Sequence, residues 1–312
     1  MRCPKCGNDV SKDDYVCVYC EARLREERIE SIKLFRRIDE KWTKPLSKFR
    51  RMLLVIANPS RAFWDITHYR EKVGGGLVYL VWCLSFGLIG SSIYAHVDLS
   101  PTVGTGSVYA GLIAFGINFL QSMSMFMLFF LFGLIYYGLF IWLGNKLFKW
   151  GANYSINLSD QLKLRYGEGK TEDEVEEDTE KTRAQLEAEG EYVMELPEYL
   201  TSQESKTGSI MRYAYIPYIL SLLISALVLL IALPTVGPSN LEPLWESRIW
   251  GIIDWIQVIF LIGWVPITMS IALRDIANAS TMKVYISCLT VSIIIAFFVY
   301  FLRPTLMMQY IT

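Results

Sequence analysis

The sequence predicts an all-α integral membrane protein, a five-span helical bundle headed by a small four-cysteine module. Three observations carry this. Residues Leu99 to Asn145 contain no Asp, Glu, Lys or Arg, and their apolar part, continuing to Phe148, shows none of the polar striping of a soluble core helix. The composition is lopsided, 53% apolar and 14% aromatic against 20% charged. The net charge of -1 hides a segregation: basic residues gather in Met1 to Lys72 and acidic ones in Glu168 to Glu204. Net charge alone therefore says nothing about partners.

The N-terminal module, residues 1–23, reads CPKCGNDVSKDDYVCVYC from its first cysteine, spacing Cys3, Cys6, Cys17 and Cys20 as C-x2-C-x10-C-x2-C. Each pair can close a tight knuckle, and two knuckles supply the tetrahedral four-sulfur set that zinc prefers. Gly7 stands where the first knuckle must turn. So short a segment buries no useful core, so a structural Zn2+ would supply its folding free energy, about 10–16 kcal/mol in zinc-finger peptides. Disulfides and a redox dithiol are the rival readings, but no apolar signal segment follows Met1 and no βαβ pattern surrounds a C-x-x-C. With only Arg2, Lys5 and Lys12 before Arg23, the module reads as a partner-binding adaptor rather than a nucleic-acid surface. Cys83 and Cys288, each alone in an apolar run, read as small buried side chains.

Residues 24–72 read as cytosolic amphipathic helices and linker. From Leu24 to Trp42, Ile29, Ile32, Phe35, Ile38 and Trp42 recur at helical steps. Lys44-Pro45 interrupts them, and a second helix covers Leu46 to Ala57 with Lys48, Arg50 and Arg51 on its polar side. Asn58-Pro59 is an N-cap followed by proline at the first helical position, opening a helix from Ser60 to Ile66. Two readings of this helix pair stand side by side. It lies on an anionic membrane surface through Phe49, Phe63 and Trp64, or it is a linker packed on the bundle.

Gly74-Gly75-Gly76 separates this region from the membrane domain, residues 73–312, with spans at about 77–96, 117–145, 213–233, 249–273 and 282–302. The second apolar run is overlong. As one helix its 41 residues would reach about 60 Å, twice the roughly 30 Å of bilayer hydrocarbon. Either a single helix protrudes, or a break near Asn118, Gln121 and Ser122 makes two spans. Charge decides for five spans in all. The N-terminal region, the Lys146 to Arg212 loop and the Arg274 to Lys283 turn then share one side with 28 of the 30 Lys and Arg, leaving Arg248 and Arg303 opposite. That puts the N-terminus in the cytosol, where thiolates stay reduced, and the C-terminus outside. The loop carries an acidic insert, 167–208, with fourteen acidic residues; Thr171-x-x-Glu174 is a capping box for a short helix to about Glu189. A solvated insert is the favoured reading, a partner-docking arm the alternative.

Little in the chain suggests catalysis. His68 and His96 sit near span ends, and there is no H-E-x-x-H motif, no carboxylate pair within a span and no glycine-rich phosphate loop. No catalytic or cofactor-binding residue is assigned, and the chain reads as non-enzymatic. Asp254, in WGIIDWIQVIF, is the one acidic residue within a span, a placement that raises functional suspicion by default. It lies near the outer end, which favours an interfacial or helix-pairing role over an ion or proton role. Pro217 and Pro266 are expected to kink spans three and four, with Ser or Thr neighbours taking up the freed carbonyls.

Three stretches carry a family resemblance: NPSRAFWDI (Asn58 to Ile66), WLGNKLFKWGANYSI (Trp142 to Ile156) and MRYAYIPYIL (Met211 to Leu220). Their order around five spans resembles the Yip-one (Ypt-interacting protein) domain family over about Leu46 to Leu302. The turn ALRDIANASTMKVYI (Ala272 to Ile286) sits where that family has a short cytosolic loop. The zinc ribbon, a fusion of prokaryotic look, and the acidic insert depart from the family pattern. The resemblance implies a polytopic membrane scaffold, a cell-membrane protein if prokaryotic. Eukaryotic members bind small Rab-type GTPases and organise vesicle membranes, and the family has no catalytic residues to carry over. The expectation is therefore a non-enzymatic scaffold in the lipid bilayer with a cytosolic protein partner, a small GTPase by resemblance only, and no nucleic acid. The alternative is transport of an ion or lipid centred on Asp254, Asn118, Gln121 and Gln257. Oligomeric state stays open.

Overall fold

Helices follow the apolar stretches. A computed structural model describes residues 1–10, 12, 14–17, 20, 22–38, 46–68, 74–98, 108–156 and 203–301. In chain order these form α1 (Lys48–Ala57), α2 (Pro59–His68), α3 (Gly75–Tyr94), α4 (Val108–Ile156), α5 (Gln203–Ala214), α6 (Ile216–Ala232), α7 (Glu242–Trp245), α8 (Ile249–Val258), α9 (Val265–Ala277) and α10 (Thr281–Phe301). A π-helical turn, Ile259–Trp264, joins α8 to α9. Among the described residues there is no strand, only isolated bridges. Four helices are long and apolar enough to cross a membrane, or five when the bent pair α5–α6 counts as one span. The protein is an all-α integral membrane bundle.

α4 is a single helix of 49 residues, with Asn118, Gln121 and Ser122 inside it. Asn118 donates to the Asp98 carboxylate at 3.2 Å, just past the end of α3, so the earlier turns of α4 extend beyond α3. α3 and α4 pack through small residues. A Cβ on Gly87 would lie 2.9 Å from the Phe126 ring, and one on Gly90 would overlap Phe129. Where lipid removes the hydrophobic drive between helices, such close approach and dense ring contact hold them together. Trp82, fully buried on α3, meets the rings of Tyr137, Phe140, Tyr215 and Tyr218. Gly90→Leu is expected to force Phe129 off its site and lower stability by about 1–3 kcal/mol. A thermal melt of the detergent-solubilised chain checks this, and an unchanged midpoint would show that α3 and α4 do not need this contact.

Pro217 stands just after a bend in its span, whereas Pro266 follows a π turn inside one continuous helix, Glu242–Ala277. α5 and α6 meet at a 41° bend, with Pro217 second in α6, and the Thr268 hydroxyl reaches across from α9 to the Ala214 carbonyl at 2.7 Å. Pro266 is second in α9, directly after the π turn, where the Val265 N–H donates to the Phe260 carbonyl. A wide turn and a neighbour's hydroxyl absorb the backbone groups that proline displaces.

Asn58 caps α2 as expected, its Oδ1 accepting the Arg61 N–H at 3.3 Å. Of the two readings of the α1–α2 pair, packing on the bundle holds for α2. Ala62, Phe63 and Ile66 are fully buried, and the Arg51 Nε lies 2.5 Å from Asp65 in a buried ion pair that ties the two helices together. α1 still turns Phe49 and Leu53 outward, 68% and 70% exposed.

One expected helix does not form. From residue 24 to 38 the chain makes only a four-residue 3-10 turn, Arg28–Ser31, followed by irregular backbone. The carbonyls a helix would use are taken elsewhere: Ser60 donates to Leu34 O at 2.8 Å, and Arg274 donates to Phe35 O. Apolar periodicity is present, but tertiary hydrogen bonds to the bundle win over local ones. Trp42, the capping box at Thr171 and nearly all of the acidic insert lie outside the described residues.

Candidate metal centre

The cysteine module folds as two knuckles. In the first, the Gly7 N–H donates to Cys3 O and the Cys3 N–H to Asn8 O, both at 2.9 Å; Gly7 takes φ +78°, which a residue with a Cβ rarely adopts. In the second, the Cys17 N–H donates to Ala22 O at 2.8 Å and the Leu24 N–H to Tyr15 O at 2.9 Å. Isolated antiparallel bridges, Arg2 with Asp9 and Val16 with Arg23, hold the flanks.

The folding brings all four sequence-predicted ligands together. The Sγ atoms of Cys3, Cys6, Cys17 and Cys20 lie within 4.8 Å of one another, with Cys3–Cys20 and Cys6–Cys17 each at 3.6 Å. Bonded sulfurs would stand about 2.05 Å apart, so these are thiols and not disulfides. A tetrahedral metal with M–S bonds of about 2.3 Å needs sulfur–sulfur edges near 3.8 Å. The donors fit such an ion.

Their electrostatics points the same way. The backbone N–H of Cys6, helped by that of Lys5 and by the neighbouring thiols, pulls the Cys3 thiol down to about 6 against the effect of burial. The Asn8 N–H favours a thiolate at Cys6 too, but burial and the crowding by Cys20, Cys3 and Cys17 outweigh it and push Cys6 up to about 12. One thiolate forms readily and the next is resisted, a conflict that a bound dication removes.

The module does not float. The Asn278 amide, in the turn between α9 and α10, accepts the Val16 N–H at 2.9 Å and donates to Val16 O at 2.7 Å and to Asp14 Oδ1 at 3.1 Å. Val16 immediately precedes Cys17, so the clamp grips the backbone beside the four-thiol cluster. Asn278 sits in the left-handed region, φ 53°, closing α9 as a C-terminal cap that asparagine tolerates better than most residues.

A buried ion cluster extends the clamp. Glu30 is 1% exposed; it accepts Arg37 Nε and the Thr281 hydroxyl, each at 2.8 Å, and pairs with Arg23. Arg37 also donates to Ala279 O at 2.5 Å. Arg274, equally buried, reaches Phe35 O, Asp275 and the Thr281 hydroxyl, so Thr281 links Glu30 to Arg274. Glu27 accepts the Met282 N–H at 3.1 Å, a carboxylate at the positive N-terminus of α10 beside its own cap, Ser280. Sequence reasoning assigned none of Glu30, Arg37, Arg274, Asn278 or Thr281. The one local signal is Arg274-Asp275 at a span end, followed by a turn too short to solvate both.

The polar residues of the transport alternative do not all converge. Asp254 and Gln257 line one cavity, whereas Asn118 and Gln121 lie outside it. His96 bonds the Leu230 carbonyl at 3.1 Å. No family model, curated protein or solved structure matches the chain.

Proposed function

We propose that this chain is a non-enzymatic membrane scaffold whose zinc-held ribbon forms a rigid cytosolic cap on the bundle. The observation that carries the reading is the four-thiolate cluster clamped to the α9–α10 turn by Asn278 and Glu30. Four protein donors leave a tetrahedral ion no open position for substrate, the signature of a structural site, and an all-sulfur tetrahedral set favours zinc. The Lys and Arg distribution supports a cytosolic ribbon, since 28 of 30 fall on its side of the membrane. The likeness to Yip-type proteins rests on three sequence stretches, and it favours a protein partner recruited to the cap.

The test is twofold. Elemental analysis of the purified chain is expected to give one zinc per molecule. Co-purification from cross-linked native membranes, with the intact chain against one lacking residues 2–23, is expected to retain the same protein partner with the intact chain alone. A specific turnover abolished by one point substitution would overturn the reading, as would the absence of any partner that distinguishes the two chains.

A further inference from the structure

The contacts of α1 fix its height against the membrane. On α4, Trp142, Trp150 and Tyr154 are exposed, and the Lys146 ammonium sits 4.0 Å from the Trp142 ring centroid. Trp and Tyr gathered at a span end beside a basic residue mark a membrane–water boundary. Gly144, inside this stretch, lies against the Tyr215 hydroxyl, which a Cβ there would overlap. Arg212 and Tyr213 stand just before Tyr215, at the bend of the same span. The Tyr213 hydroxyl and the aliphatic stem of Lys48 would each lie 3.1 Å from a Cβ on Gly74, the N-cap of α3. α1 also packs on α5 and α6. The aromatic girdle, the start of α3 and α1 therefore share one level.

We infer that α1 is an interfacial helix that docks on the anionic headgroups of the adjoining lipid leaflet, with Phe49 and Leu53 inserted toward the acyl chains. These two side chains stand one turn apart and are exposed, on the side of α1 away from Arg51 and Val55, which are buried against the bundle. At 100° per residue, Lys48 borders their stripe on one flank and Arg50 on the other. Both basic residues are exposed, and among the described residues neither pairs with a carboxylate. Arg212 has no such partner there either, and its Nε–H is shielded from solvent without an acceptor among them. Cations without counterions, set around an apolar pair at headgroup height, match a surface that offers phosphates and an apolar layer together. A free anion would answer the charges and leave Phe49 and Leu53 in water. The inference rests on the membrane-crossing helices and not on the scaffold reading.

The test places the full chain in discs of equal phosphatidylglycerol and phosphatidylcholine, with photoreactive p-benzoylphenylalanine in place of Leu53. Irradiation is expected to join position 53 to lipid, with phosphatidylglycerol over-represented among the adducts. A basic side chain near an anionic surface is worth about fivefold in affinity. Lys48→Gln and Arg50→Gln are therefore each expected to lower the ratio of phosphatidylglycerol to phosphatidylcholine adducts by about that factor, and high salt should lower it too. Should the Leu53 derivative not fold, the same label in place of Phe49 gives the same readout. Absence of lipid adducts at both positions, or an adduct ratio equal to the bulk composition of the discs, would overturn the proposal. So would a ratio unchanged when Lys48→Gln and Arg50→Gln are combined. In native membranes, adducts to a protein in place of lipid would overturn it as well, and would make α1 a protein-docking helix.

Discussion

Cys17→Ser is expected to abolish metal retention and unfold the ribbon while leaving the bundle in the membrane. The magnitude follows from what else holds the module. Its buried apolar set is Cys3, Val10 and Cys17, with Cys20, Ala22 and Leu24 partly buried around them, and three of those six are ligands. Metal binding of about 10–16 kcal/mol, the range for zinc-finger peptides, therefore has no apolar substitute here. Elemental analysis should fall from one metal per chain to background. Hydrogen exchange should lose protection over residues 1–23, because the Val16 backbone that Asn278 grips is ordered by the knuckle next to it. Protection at Ala277–Thr281 should fall only in part, since Glu30 and Arg37 reach the turn independently of the ribbon. A ribbon that stays protected without metal would mean that docking, and not the ion, folds it. Loss of membrane insertion would mean that the ribbon is needed to assemble the last two spans.

The spans and the four-cysteine cluster were both legible in the sequence, and for the same reason: each is a local pattern. An uncharged run is read residue by residue, and C-x2-C knuckles place their sulfurs through turns of a few residues. The single long α4 was one of two outcomes that hydropathy allowed, and its unbroken helix settles the choice. What the sequence hid is long-range. Glu30 and Thr281 are 251 residues apart, and Asn278 and Asp14 are 264 apart. No periodicity reports such pairs, and an Arg or Glu in a charged segment looks solvated until its partner is known. The absent helix after Leu24 is the same failure seen locally. Its apolar spacing is helical, but the Leu34 and Phe35 carbonyls answer to Ser60 and Arg274 instead of to their own chain. Phe63 shows the reverse case: a residue that could have faced lipid is fully buried, on a helix that packs against both α1 and α9.

Glu30→Ala should release the segment from Arg23 to Arg37 from the turn while the ribbon keeps its metal. Among the described residues the carboxylate is the one acidic group that Arg37 and Thr281 share, and both sit in a region closed to water. Removing it leaves the buried Arg37 and Arg274 guanidinium groups, among the described residues, with the Asp275 carboxylate, a change of the kind that costs about 3–5 kcal/mol. Acid should do the same to the wild type. Burial acts against the Glu30 carboxylate, but the Arg37 charge and the bonds from Arg37, Thr281 and Arg23 outweigh it and hold its pKa below the ordinary 4.5. A carboxyl depressed by folding adds stability above its unfolded pKa and loses it as pH falls through the folded one. Docking should therefore be intact at neutral pH and fail only on acidification below about 4.5, within the range set by that downward shift. Glu30→Gln keeps an acceptor for Thr281 but has no charge to titrate, so its docking should be weaker at neutral pH and should lack this acid step. Limited proteolysis between residues 23 and 38, followed across pH in all three chains, separates these outcomes. If Glu30→Ala is cut no faster than wild type, the Asn278 clamp alone holds the cap, and the buried cluster serves only to join α9 to α10.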